Sequence, residues 1–186
     1  MISKINKIID FWFVETTAEQ RFKKNLKFDR IIKDKFLNDY ELASQNKLDD
    51  WQRTGKGCLA LIILLDQFSR NLFRESRKAF EQDEKSRSVL LKIISNNFLD
   101  EMNENERLFA LLPLIHSENI LDHEKAYVLM EKYLKNHSEI GKIKKFWLDH
   151  TAAIKRFARY PHRNKVLNRV SSEEEIEFLN SPNSSW

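Results

Sequence analysis

At 186 residues, with 41% hydrophobic and 32% charged side chains, the chain has the length of one domain and the make-up of neither a disordered polymer nor a fibre. Three glycines and three prolines are too few for the turns a sheet protein needs at its strand ends, so helix is favoured before any periodicity is read. A formal charge of +4 permits an anionic partner without demanding one.

Ser3 is placed to cap a first helix in which Ile5, Ile8, Ile9, Trp12 and Phe13 recur at helical spacing. Asp29 reads as the cap of a second, which buries Ile32, Phe36, Tyr40 and Ala43. A short piece starting at Asp49 or Asp50 carries Trp51 and ends at Thr54-Gly55-Lys56-Gly57. The run from Cys58 to Leu65 has no polar face, so a third helix, about Cys58 to Phe73, is expected to be surrounded by the others. A fourth helix is predicted over Ala79 to Asn96, and a fifth over Glu104 to Leu112, broken or kinked by Pro113. The sixth, Ile120 to His137, buries Ala126, Met130 and Tyr133; the seventh, about Lys142 to Arg159, buries Ile143, Phe146, Trp147, Ile154 and Phe157 and is ended by Pro161. A capping box at Ser172 to Glu175 starts a last helix that stops before Pro182. These elements predict an all-α protein, a single domain over residues 1–186 with roughly seven to nine helices.

Cys58 is the only cysteine, so no intrachain disulfide is possible, and in its apolar run it reads as a small hydrophobe. The N-terminus lacks the apolar core and cleavage site of a signal peptide, and no apolar run approaches the roughly 20 residues that span a bilayer. A soluble, cytoplasmic protein with no membrane partner is the expectation.

Four segments stand out, the second and the fourth for polar residues that helix patterning does not require: Ile9-Asp10-Phe11-Trp12-Phe13, Leu64-Leu65-Asp66-Gln67-Phe68-Ser69-Arg70-Asn71, Leu112-Pro113-Leu114-Ile115-His116-Ser117-Glu118, and Arg156-Phe157-Ala158-Arg159-Tyr160-Pro161-His162-Arg163-Asn164. Together and in this order they resemble the bacterial domain of unknown function 924 family, nearly end to end. The resemblance implies a tetratricopeptide-like fold of stacked helical hairpins and carries no established activity. The chain departs from the family pattern at Ala158 and Asn168, where glycine is usual, and at His123, where glutamine is usual, which takes His123 out of the candidate site.

Asp66, Arg70 and Arg74 follow one another at i, i+4 and i+8, with Gln67 and Asn71 beside them. Either they form an ion pair at a polar helix end, or the helix delivers guanidinium and amide groups to a pocket, where the fork of arginine suits phosphate or carboxylate. His150 lies in phase with the apolar face of its helix, as a core histidine or a catalytic one. Beyond it come Arg156, Arg159, His162, Arg163 and Asn164, within a stretch from Lys142 to Arg169 that holds nine Lys or Arg and the single acid Asp149. His116 and Glu118 have the ingredients of acid/base chemistry or of a helix cap. The spacing of a known metal site is absent, as are a phosphate loop, a dinucleotide fingerprint and a nucleophile elbow, so neither metal nor cofactor is expected.

The leading expectation is one polar, cationic pocket for a small anionic ligand, phosphate or carboxylate, built from two distant segments. Asp66, Gln67, Arg70, Asn71, Arg74, Glu118, Arg159, His162, Arg163 and Asn164 are its binding residues, and His116 and His150 its acid/base pair. The alternatives are a tetratricopeptide-like module for an acidic peptide or protein, and weak RNA binding through the basic stretch, against which stands the lack of an interleaved aromatic platform.

Overall fold

The computed structural model describes residues 2–182 and 184, and among these it is helical with no strand. In chain order the α-helices are α1 (Ile2–Asp10), α2 (Ala18–Phe22), α3 (Leu26–Ser44), α4 (Gly55–Ile62), α5 (Ser69–Leu72), α6 (Asp83–Ser95), α7 (Glu104–Ile115), α8 (Ile120–Tyr133), α9 (Ile140–Phe157) and α10 (Glu173–Leu179). No helix of the described residues is long and apolar enough to cross a membrane. The chain forms two compact units, one of Met1–Arg74 with Lys78–Pro113, the other of Glu75–Arg77 with Leu114–Trp186.

In the first unit, α4 packs against both α1 and α6. Every residue from Cys58 to Leu65 is fully buried, as its unbroken apolar run requires. Burial pushes the Cys58 thiol up to about 11, which keeps it an inert hydrophobe. The expected third helix is not one regular helix: α4 passes into a π-helical stretch, Ile63–Phe68, before α5. A second π-helical stretch, Phe11–Glu15, extends α1, and Trp12 meets Phe68 edge-on at 5.5 Å between ring centres. Large rings from two elements must share one core layer here, and the wider π turn shifts side chains that a strict i+4 repeat would place elsewhere.

Several element ends differ from the sequence reading for local reasons. Asn25, not Asp29, caps α3 by accepting the N–H groups of Lys27 and Phe28. Thr54 ends the Asp49–Arg53 turn, but Gly55 and Gly57 open α4, with the Thr54 hydroxyl accepting the Gly57 N–H. The fourth helix starts later than expected, after a 3-10 turn at Arg77–Ala79. Pro113 lies inside α7, which continues through it to Ile115. The small helix α2 went unread, although Thr17 and Gln20 form a complete capping box.

In the second unit α8 packs on α9, and α10 packs on the 3-10 turn Pro161–Arg163. The predicted box at Ser172 and Glu175 is formed in full. Tyr160 is fully buried with Ala153 and Ile154, and its hydroxyl donates to the Ile115 carbonyl. The turn carrying the Pro-His-Arg-Asn segment is thereby pinned to the interior of its unit.

Candidate functional site

The Asp-Gln-Phe-Ser-Arg-Asn segment lies in the first unit, at the change from π-helix to α5. Asp66 is fully buried and accepts from Gln67 and from Arg70, the latter at 3.3 Å. Arg70 also donates to Asp83 at 2.7 Å and to the Ala79 carbonyl, and its guanidinium lies 4.6 Å over the Phe80 ring. Burial alone would lower the pKa of Arg70, but Asp83 and Asp66 outweigh it and raise it. Arg74 does not continue the stripe, since α5 ends at Leu72; it turns to α3 and grips both oxygens of Asp29, which also accepts from Asn71 at 2.8 Å. Sequence reasoning missed Asp83 and Asp29 as partners, because nothing local signals pairs 13 and 45 residues apart.

The second unit holds the other candidates. The His150 ring lies 6.3 Å from His116, 5.8 Å from Tyr160 and 4.1 Å from Phe146, and Tyr160 lies 5.5 Å from His162. The Arg163 guanidinium stacks 4.4 Å over the Tyr160 ring and donates to the His116 carbonyl at 3.0 Å. Burial, with His116 next to it, pushes His150 down to about 2, so its imidazole is neutral. Its Nδ1 faces the Phe146 carbonyl at 2.8 Å, and since a carbonyl only accepts, the proton is on Nδ1 and Nε2 is the acceptor nitrogen. His116 and His162 are half-buried.

Carboxylates brace this cluster. For Glu118, burial alone would raise the pKa, but two bonds from Arg169, at 2.7 and 3.0 Å, the Tyr160 N–H at 2.8 Å and the charge of Arg163 hold it below the ordinary carboxylate value. Arg159 grips both oxygens of Glu175, at 2.6 and 2.7 Å, and this fork holds the Glu175 carboxyl down at about 2. The Asn164 amide donates to Ser171 at 3.0 Å. Arg159 and Glu118 thus fasten the turns around the site, with Arg169 a partner the sequence reading passed over. Of the nine basic residues from Lys142 to Arg169, six sit in ion pairs, among them Lys144 with Glu131 and Arg156 with Glu174. The surplus read along the chain is largely offset in space.

His123 lies behind the cluster, fully buried, between the Ser117 carbonyl and the Thr151 hydroxyl at 2.9 Å each, and burial lowers its pKa. No group of three or more His, Cys, Asp or Glu among the described residues is arranged to hold a metal ion.

A family model, bacterial protein of unknown function DUF924, matches residues 8–183. The chain belongs to this family. The solved structure of a protein of unknown function from Agrobacterium tumefaciens is similar to it, with 30% identity over 96% of this chain and 98% of that one and a TM-score of 0.88. No curated protein matches.

At two positions where the resemblance implies a glycine, the backbone takes the conformation that favours one. Ala158, the C-cap of α9, has φ 54°, and Asn168 has φ 56°, both in the left-handed region that glycine enters without strain. Ala158 makes the reversal from α9 into Tyr160, so the strain lies at the entrance to the ring cluster. Ala158→Gly is expected to stabilise the protein, because relief of roughly 1–2 kcal/mol of left-handed strain exceeds the roughly 0.5–1 kcal/mol entropic cost of a glycine. Urea unfolding checks this, and a lower midpoint would show that alanine carries no strain here.

Proposed function

We propose that the second unit binds a small anion, a phosphate or carboxylate group, at the rings of His116, His150, Tyr160 and His162, with Arg163 as its guanidinium partner. The observation that carries this reading is the gathering of two imidazoles and a guanidinium around one buried tyrosine, with the ring of His116 against that of His150. Such groups repel one another once protonated, and an anion at the half-buried His116 and His162 offsets that repulsion. The neutral His150 serves as a hydrogen-bonding wall, since a group that titrates near 2 is too weak a base for work at ordinary pH. The acid/base part falls to His116. A lone buried thiol suits the same reading in the cytoplasm.

Inorganic phosphate and acetate are the probes, followed through the histidine ring resonances by NMR. Saturable shifts at His116 and His162 are expected, and Arg163→Ala should weaken them about tenfold or more, the scale of one charge-assisted hydrogen bond. No saturable shift in the parent protein, or an affinity unchanged by Arg163→Ala, overturns the proposal.

A further inference from the structure

A cavity of about 350 Å³ opens in the first unit, beside the start of α4. Its size is at the lower end of small-molecule sites, which run from roughly 300 to 1,000 Å³. Ile5, Leu59 and Met102, all buried, give it an apolar floor, and Lys56 and Glu101 bring opposite charges to its lining. Neither of those two takes part in an ion pair among the described residues, whereas the third charged residue, Glu106, is occupied in a reciprocal cap with Asn103. Glu101 comes close to the bare backbone of Gly55: a Cβ built there would lie 3.5 Å from its carboxylate oxygen. The Glu101 carboxylate beside Gly55 and the lysine one residue further on therefore bring both signs of charge to the lining of one apolar hollow.

We infer that this cavity binds an α-amino acid with an apolar side chain, the ammonium on Glu101, the carboxylate on Lys56 and the side chain on Ile5, Leu59 and Met102. The two charged groups of an α-amino acid are attached to one carbon, which calls for a positive and a negative partner in the same site. An amine alone would leave Lys56 without a use, and an acid alone would meet Glu101 as a like charge. The apolar floor selects against polar side chains, because their hydroxyl or amide groups would be buried there without partners. This inference stands on the first unit alone, independent of the anion site.

L-leucine is the probe, with isoamylamine and 4-methylpentanoate as the analogues lacking one charge each. Amide NMR of the full chain is expected to show saturable shifts at Ile5, Leu59 and Met102 with L-leucine at millimolar concentration. Both analogues should bind about tenfold or more weakly, as should L-leucine to Glu101→Gln and to Lys56→Gln. Both positions are exposed, so the variants keep the fold. The inference fails if L-leucine moves no cavity resonance, if either analogue binds as tightly, or if both variants bind L-leucine unchanged.

Discussion

Gly57→Ala is expected to cost about 3 kcal/mol or more, beyond the ordinary range of roughly 1–3 kcal/mol for overpacking a core, because the added atom meets backbone. A Cβ at this position would lie 2.0 Å from the Trp51 carbonyl oxygen and 2.8 Å from its carbon. A side chain could rotate away, but the Trp51 carbonyl is fixed at both ends: Thr54 donates its N–H to it, and the Trp51 ring is buried. Gly57 is helical with no positive φ, so close approach and not conformational freedom demands a glycine. Two controls grade the effect. At Gly55 the nearest atom is the Phe98 Cβ at 3.1 Å, a contact that a small shift relieves. At Gly141 nothing lies within 4 Å, so alanine in the first turn of α9 should stabilise by up to about 1 kcal/mol. Urea unfolding of the three variants should rank them in that order, and a Gly57→Ala protein no less stable than the parent would mean that Trp51 is not held against α4.

This glycine also marks how far the sequence was legible. The apolar run from Cys58 to Leu65 and the stripe from Ile5 to Phe13 are local patterns that became helix, though each passes from α into a π-helical stretch and Ser3 lies inside α1 instead of capping it, while the capping box of α10 formed as expected. Thr54-Gly55-Lys56-Gly57 looked like a turn because two glycines commonly make one. They are glycines because Trp51 and Phe98 approach the first turn of α4, a tertiary fact with no signature in the segment itself. The same division runs through the candidate residues. The pairing of Asp66 with Arg70 follows from i, i+4 spacing, and the clustering of His150 with Tyr160 and His162 follows from closeness in the chain. The partners that decide what Arg74, Arg70 and Arg159 do, Asp29, Asp83 and Glu175, and the one that holds Glu118, Arg169, come from elsewhere in each unit and were not visible. Likewise the run of cations after Lys142 suggested a strongly basic region, while the acids of α8 and α10 that neutralise it lie outside the segment.

Arg70→Met should destabilise the protein by about 3–5 kcal/mol, the cost of removing one partner from a buried charge pair. Asp66 is the reason. Its carboxylate is fully buried on the π-helical stretch, and the variant takes away the cation 3.3 Å from it while opening a gap over Phe80. Asp83 loses the same cation but is less buried, so it recovers hydration that Asp66 cannot. A double-mutant cycle separates the charge from the packing. With Asp66→Asn in place no buried carboxylate remains to be stranded, and the further loss on Arg70→Met should fall well below its value in the parent background. Equal losses in both backgrounds would assign the effect to the stem of Arg70 and its packing on Phe80. A loss under about 1 kcal/mol in the parent would be the signature of an arginine kept for a ligand at the expense of stability. The four acceptors and the aromatic face that Arg70 already occupies argue for the large loss. On that outcome Asp66 and Arg70 are the brace that holds α5 and α6 in the first unit, and the search for an anion belongs with His116, His162 and Arg163 in the second.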